Sequence, residues 1–524
     1  MIRMKKFDPI ELELFKNILV SISEEMGAVL GRTSLSPNIK ERKDFSCALF
    51  NQKGETFAQG SHIPVHLGAM PLSVQAALKA CPFEKDDLVI LNDPYRGGTH
   101  LPDITCISPV FIDKKLFFFV ANRAHHSDVG GMTPGSMPLA TEIFQEGLII
   151  PPLKLIQKGK LNEEILNLIL ANVRTPEERK GDLMAQIAAN EKGKERLEET
   201  IKKYGLKKIL DYTNLIQGYT EKILRETIKE IPDGEYLFTD YLDDDGIKPT
   251  AVKISVRLWI KNDEALIDFS SSSSQVQGSV NANFAVTCSA VLYVFRSLIE
   301  EDIPFNTGLM KPLKIKARPG LVVNAQYPAA TSGGNVETSQ RIVDVLLGAL
   351  SKAIPHKIPA ASSGTMNNVA FGGFDSRKKR NFAYYETIGG GMGASFYFPG
   401  LSGVHTHMTN SLNTPLEALE NYLPLRIRKY CLRRGSGGEG KSKGGEGIIR
   451  EYEFFVPTQV TIISERRKFS PYGIWGGKEG KKGKNILFSQ GKKIILNSKV
   501  NIKVNPGDVL RIETPGGGGY GQKK

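Results

Sequence analysis

The sequence predicts a mixed α/β (α+β) protein, with an N-terminal sheet-plus-helix domain over residues 1–231 and a Gly-rich, strand-heavy C-terminal domain over residues 232–524. Three observations carry that expectation. Before residue 232, runs of helical periodicity with N-cap signals alternate with hairpin patterns. A strong turn signal, Pro232-Asp233-Gly234, then interrupts the chain. Beyond it, short β-branched runs alternate with glycine clusters, most densely near the end.

The first helix is marked by Asp8 as N-cap, Pro9 at the first helical position and Glu11 at capping-box spacing. Ile10, Leu14, Ile18, Ile22 and Met26 then recur at helical spacing, and Gly31 is the expected stop. A hairpin pattern follows, Phe45 to Phe50 and Glu55 to Gln59, turning through Asn51 to Gly54. Asp87 to Leu91 reads as a strand. Ile104 to Phe111 and Leu116 to Ala121 read as a second hairpin, turning near Asp113-Lys114-Lys115.

Thr175-Pro176-Glu177-Glu178 opens another helix, expected to run to about Tyr204, and a third helix leads to Pro232. Asp182, Gln186 and Asn190 share one stripe of the second helix, which is either solvated or part of an active site. In the C-terminal half, Val252 to Trp259 and Glu264 to Phe269 suggest a hairpin around Asn262-Asp263. Ala285 to Leu298 and Thr338 to Leu350 read as buried helices.

Composition narrows the classes of function. A chain of 524 residues has room for two or more domains, and 40% hydrophobic with 24% charged residues is the balance of a folded protein. The net charge of +13 is spread out. Its densest run, Arg377 to Arg380, lies between Gly-rich turns without interleaved aromatics, which reads as a solvated loop and not a nucleic-acid surface. A diffuse positive field also suits anionic substrates or an acidic partner. The five cysteines are widely spaced and form no CxxC, which predicts a reducing compartment with neither a disulfide framework nor a thiolate zinc site. Met1 to Phe7 is basic and leads straight into Asp8-Pro9, with no apolar signal region. No other stretch is long enough to cross a membrane, so a cytoplasmic protein is expected.

The chemistry-bearing residues concentrate around the second hairpin. Three of the eight histidines fall between Thr99 and Asp128. A hairpin turning near residue 113 brings the residues before its first strand beside those after its second. Asp103 is then expected opposite roughly residue 123, and His100 opposite roughly residue 126, with about two residues of slack. His100, Asp103 and His125 thus converge at one end of a small sheet. Two imidazoles and a carboxylate suit Mn, Zn or Fe(II) with positions left open, whereas the lack of thiolate points away from structural zinc. The alternative for this cluster is a hydrogen-bonded turn.

Other histidines carry weaker signals. His62 and His66 are four apart, but Pro64 between them breaks the helical register. His405 and His407 alternate as on a strand, and His407 and Asn410 are candidate substrate contacts. His356 reads as structural. Gly435 to Ser442 matches the Walker A string, but a phosphate loop needs a helix after it. Here the loop runs into Lys443 to Gly447 and a strand-like Ile448 to Val456, so a nucleotide site is not expected.

Several segments together resemble the hydantoinase B/oxoprolinase family. They are Asn92-Asp93-Pro94-Tyr95, Gly98-Thr99-His100-Leu101-Pro102-Asp103, Ala124 to Gly131, Ala171 to Pro176 and Gly333 to Arg341. His407 to Asn410, Asn413 to Pro415, Ser464 to Arg467 and Thr514 to Gly521 continue the series, so the resemblance extends over nearly the whole chain.

It implies an enzyme of two cooperating parts. A hydantoinase A-like ATPase subunit activates the substrate by phosphorylation, and the B part completes opening of a cyclic amide such as 5-oxoproline or N-methylhydantoin. Relatives instead carboxylate acetone or acetophenone. The resemblance places a manganese-type centre on His100, Asp103 and His125, with Zn or Fe as alternatives, and leaves ATP to the separate partner. The expected assembly is a hetero-oligomer. In the mechanism this suggests, Asp128 and His126 are candidates for general base or support of the metal site. The rivals are a carboxylase subunit and a non-catalytic scaffold for the ATPase.

Overall fold

The computed structural model describes residues 8–523, so the basic segment Met1–Phe7 lies outside the described residues. Asp8 accepts a hydrogen bond from the Ile10 amide and caps the Pro9–Thr33 helix, two residues longer than the Gly31 stop predicted from sequence. Leu12, Phe15, Leu19, Ile22, Met26 and Leu30 face inward along it, the spacing of a single buried stripe. The Pro176–Tyr204 and Leu206–Lys229 helices follow the predicted positions.

The strands of the N-terminal half are β1 (Phe45–Asn51), β2 (Thr56–Gln59), β3 (Leu88–Leu91), β4 (Asp103–Ile112), β5 (Lys115–His125), β6 (Leu153–Gln157) and β7 (Lys160–Leu161). They form one antiparallel sheet in the order β2-β1-β5-β4-β3-β6-β7. The long β4–β5 hairpin is central, so its side chains are covered on both faces. Asn122, Ala124 and the following His126 face the Pro176–Tyr204 helix. There Asn122 donates to the Gln186 carbonyl at 2.7 Å and His126 meets Gln186 Oε1 at 2.9 Å. Arg123 and His125 point to the opposite face, where Arg123 donates to Ser73 Oγ at 2.7 Å.

The stripe Asp182, Gln186, Asn190 is fully buried, which excludes the solvated reading. Asp182 accepts the amides of Leu35 and Ser36, Gln186 donates to the Ile104 carbonyl, and Asn190 donates to the Cys106 carbonyl. This ladder fixes the helix against β4 with paired polar groups, each net bond contributing on the order of 1 kcal/mol.

The Pro232-Asp233-Gly234 turn lies between the Leu206–Lys229 helix and a strand starting at Gly234. The largest hydrophobic core draws on both sides of it, joining Ile63, Leu224 and Ile228 to Val256, Val291 and Leu346. Beyond the turn are two four-stranded sheets and one five-stranded sheet, with the Phe284–Ser297 and Ser339–Ala353 helices buried between elements. The Ser339 helix is preceded by a π-helical turn, Gly334–Thr338. A Cβ at Gly334 would stand 1.9 Å from the Asn281 carbonyl oxygen, so only glycine permits that approach.

The Gly-rich segments form a backbone-packed slab. Gly438 donates to the Gly517 carbonyl, Gly517 to that of Gly445, Gly445 to that of Met392, and Gly519 to that of Lys478. The Walker-like string is one layer of it. Ser442 bridges to Tyr520, and the next regular element is the Gly447–Phe454 strand, so no helix N-terminus is present to hold a phosphate. Among the described residues no helix is long and apolar enough to cross a membrane.

Candidate metal centre

Asp103 is the first residue of β4 and His125 the last of β5, and the two are directly registered partners. The expected opposite of Asp103 was residue 123, two positions away. Two features account for the difference. The hairpin closes through a two-residue turn, Asp113-Lys114, both left-handed, with Ile112 opposite Lys115, and a bulge between Val110 and Phe111 adds a further residue.

His100 arrives from the loop before β4. Asp93 caps a 3-10 turn, Pro94–Arg96, by accepting from the Tyr95 amide, and Gly97 reverses the chain at φ +85°. Asn283, the N-cap of the Phe284–Ser297 helix, donates to the carbonyls of both Gly98 and Thr99. The loop is therefore clamped from the C-terminal half of the chain.

These elements bring three ligand atoms to one corner. His100 Nε2, His125 Nδ1 and Asp103 Oδ1 lie 3.2 Å from one another along all three edges. All three residues are buried. Hydrogen bonds satisfy at most two edges of such a triangle, because two neutral imidazole nitrogens facing one carboxylate oxygen leave one pair without a shared proton. A cation satisfies all three together. Ligand atoms about 2.0–2.2 Å from a shared ion, at this spacing, subtend roughly 93–106° there, between octahedral and tetrahedral values. Among the described residues, His100 Nδ1 and His125 Nε2, the outer ring nitrogens, have no hydrogen-bond partner. The donor set fits a borderline or hard divalent ion.

The electrostatics agree. Burial by itself would raise the Asp103 carboxyl, but the imidazoles of His100 and His66 and hydrogen bonds from His100 and His125 hold it well below the usual carboxylate range. Burial lowers the His125 imidazole, keeping it neutral and available as a ligand. The corner opens onto a narrow cleft lined by Val65, His66, Asn335, Val336, Tyr385 and Met408. The Tyr385 ring stacks on His125, centroids 4.4 Å apart at 18°, and its hydroxyl donates to Asn368 Oδ1 at 2.7 Å.

The remaining predicted residues have partners of their own away from the three ligand atoms. The buried Asp128 carboxylate accepts from the amides of Gly130, Gly135 and Arg174 and pairs with the Arg174 guanidinium at 3.0 Å. His126 is held on the far face of β5 by Gln186, and burial, reinforced by Arg179, lowers its imidazole to about 4. His407 adopts φ +60°, with Nδ1 3.3 Å from the Tyr293 hydroxyl. Asn410 is exposed and lines a different depression with Lys16, His62 and Arg296. Met408 and Thr409, between those two, line the metal cleft.

Sequence reasoning missed Tyr385, for which no local signal exists. It also left His66 undecided. Pro64 starts a single 3-10 turn, Pro64–His66, that swings this histidine inward to Asp103.

A family model for hydantoinase B/oxoprolinase matches residues 8–523. A protein of Methanocaldococcus jannaschii is 44% identical over 520 residues, covering 98% of this chain and 91% of that relative. The 5-oxoprolinase 1 of Arabidopsis thaliana is 42% identical over 546 residues, covering 98% of this chain but only 42% of the plant protein. This chain therefore spans less than half the length of that relative. Among solved structures, the ATP-dependent caprolactamase from Pseudomonas jessenii superimposes with a TM-score of 0.92 at 27% identity, over 99% of this chain and 92% of that one.

Proposed function

Because the chain belongs to the hydantoinase B/oxoprolinase family, we propose that it is the ring-opening part of an ATP-dependent cyclic amidase, working at a metal centre on His100, Asp103 and His125. The observation that carries the reading is the triangle of three ligand atoms with 3.2 Å edges. Two of the similar proteins carry names for cyclic-amide hydrolysis, a 5-oxoprolinase and an ATP-dependent caprolactamase. Manganese is the first choice of ion, followed by zinc or iron(II), since imidazole and carboxylate without thiolate suit all three.

A divalent ion held there supplies Lewis acidity toward a carbonyl and acidity to an attacking water. The protein's own part is positional. Asp103 keeps its carboxylate ionised through the surrounding imidazoles, and Tyr385 fixes the plane of the His125 ring. In the proposed reaction water adds to the carbonyl carbon of the phosphorylated ring amide, phosphate leaves, the ring C–N bond breaks, and the nitrogen takes up a proton. Asp128 and His126, the candidates for general base or support of the site, are held by Arg174 and by Gln186 respectively. Of the candidate substrate contacts, His407 lies against Tyr293 and Asn410 lines a separate depression, while Met408 and Thr409 between them line the cleft.

ATP is assigned to a partner. The Walker-like string here has no helix to complete a cradle, and the plant 5-oxoprolinase extends well beyond the matched region. The expected partner is a hydantoinase A-like ATPase in a hetero-oligomer. The test is elemental analysis of wild type, His100→Ala and Asp103→Ala, followed by ring opening of 5-oxoproline, hydantoin and caprolactam with the partner and ATP. Near-stoichiometric metal lost in both variants, together with lost turnover, supports the reading. Metal-free wild type with full activity overturns it, and ATP consumption that depends on bicarbonate reassigns the site to carboxylation.

A further inference from the structure

The Asp103 carboxylate has a second oxygen, and the structure shows what holds it. His66 is buried, with Nε2 3.3 Å from Asp103 Oδ2 and Nδ1 2.9 Å from Ser46 Oγ. The Ser46 oxygen accepts the Ile63 amide at 3.2 Å. An ionised carboxylate oxygen only accepts, so the contact at Oδ2 is made by a proton on His66 Nε2, and Nδ1 of the neutral ring then accepts the Ser46 hydroxyl at 2.9 Å. A doubly protonated ring would present the same Nε2 proton, so both forms donate to the carboxylate. Thr99 Oγ1 donates to the same oxygen. Oδ2 therefore receives two hydrogen bonds, and Oδ1 alone faces His100 and His125.

We propose that His66, oriented by Ser46, is a positioning residue that restricts Asp103 to one ligating oxygen and is itself no ligand. The inference rests on the metal reading given above. The donation runs in one direction, from the Ile63 amide through Ser46 and His66 to Asp103. Partners behind a metal ligand of this kind fix its rotation, and their loss typically weakens metal retention about 10–100-fold. The order of residues also explains the role of Pro64. By shaping the 3-10 turn, it sets the His66 ring against Asp103, while His62, four residues earlier, meets the Cys47 amide instead.

The experiment is Mn2+ titration followed by electron paramagnetic resonance of free and bound ion, on wild type, His66→Ala, His66→Gln and Ser46→Ala. Melting curves of the metal-free proteins run alongside. The expected result is about 10–100-fold weaker binding in His66→Ala, a changed bound-ion spectrum, and recovery to within about threefold in His66→Gln, whose amide can donate to Oδ2. Ser46→Ala falls between. A double-mutant cycle of His66→Ala with Asp103→Asn on melting of the metal-free protein is expected to show coupling. Unchanged Mn2+ affinity in His66→Ala, or weak binding that Gln fails to restore, overturns the positioning role while leaving the metal centre standing. Absence of Mn2+, Zn2+ and Fe2+ binding by wild type instead overturns the metal reading, and with it this inference.

Discussion

Asp103 and His125 are opposite residues of one antiparallel pair, and their Oδ1 and Nδ1 atoms meet 3.2 Å apart at the open end of the β4–β5 hairpin. Because a register shift of one residue would turn His125 to the other face of the sheet, the bulge at Val110 and Phe111 helps build the candidate metal centre although it lies some seven residues away.

Asp103→Asn keeps the size and most of the hydrogen bonding of this side chain but removes its charge. The expected outcome is at least tenfold lower metal retention, about the loss seen when outer partners of a ligand are removed, with an unchanged circular dichroism spectrum. Metal analysis after dialysis checks it. Retention equal to wild type would show that the two imidazoles hold the ion without Asp103.

Tyr385 links this site to the C-terminal half, stacking on His125 and donating to Asn368, which in turn donates to Glu337. Tyr385→Phe preserves the stack but leaves the buried Asn368 oxygen without its donor. It is expected to destabilise by about 1–3 kcal/mol, seen as a lower melting temperature, with metal content unchanged. Tyr385→Leu removes the stacked ring and is expected to lower metal affinity as well.

Glu337 gives a pH prediction. Burial, with Glu465 nearby, raises its carboxyl to about 8, so the native state favours the protonated acid. Its contribution to stability is then fully present below its ordinary value of 4.5 and is lost as pH rises through about 8. Melting temperature should fall across that window in wild type. In Glu337→Gln, which mimics the protonated acid, the slope should flatten by up to about 1.4 kcal/mol per pH unit. Parallel wild-type and Gln curves would refute the assignment.

The Walker-like string yields a contrast. Lys441 is exposed and rests over Phe396, so Lys441→Ala should change stability by less than about 0.5 kcal/mol and leave ATP consumption by the proposed complex unaffected. Gly438→Ala should abolish soluble expression, since its Cβ would stand 2.2 Å from the Lys478 carbonyl oxygen. A drop in ATP affinity in Lys441→Ala, measured by calorimetry on the complex, is the result that contradicts this.

The long helices and the hairpins were legible because each has a local cause. Asp8 and Pro9 start a helix, and alternating apolar residues make the strands. The convergence of His100, Asp103 and His125 was also legible, because a hairpin is a local device whose register can be counted to within a bulge. Tyr385 and Ser46 were not, since what brings them to the site is packing between segments hundreds of residues or a sheet strand apart. The Asp182, Gln186, Asn190 stripe shows the same limit. Periodicity reveals that three residues share a face, but not that the face carries the buried rungs of a sheet–helix joint.

The glycine slab makes four distant segments mutually dependent. Its layers come from segments near residues 391, 445, 480 and 517, and each is held by carbonyls and amides of the others. Gly517 lies between Met392 and Gly444–Gly445, so the layers from residues 391 and 445 find their shared backbone partners only when the segment near 517 is in place. Substitutions that break one layer should therefore lower the yield of folded protein while leaving the residues of the candidate metal centre untouched.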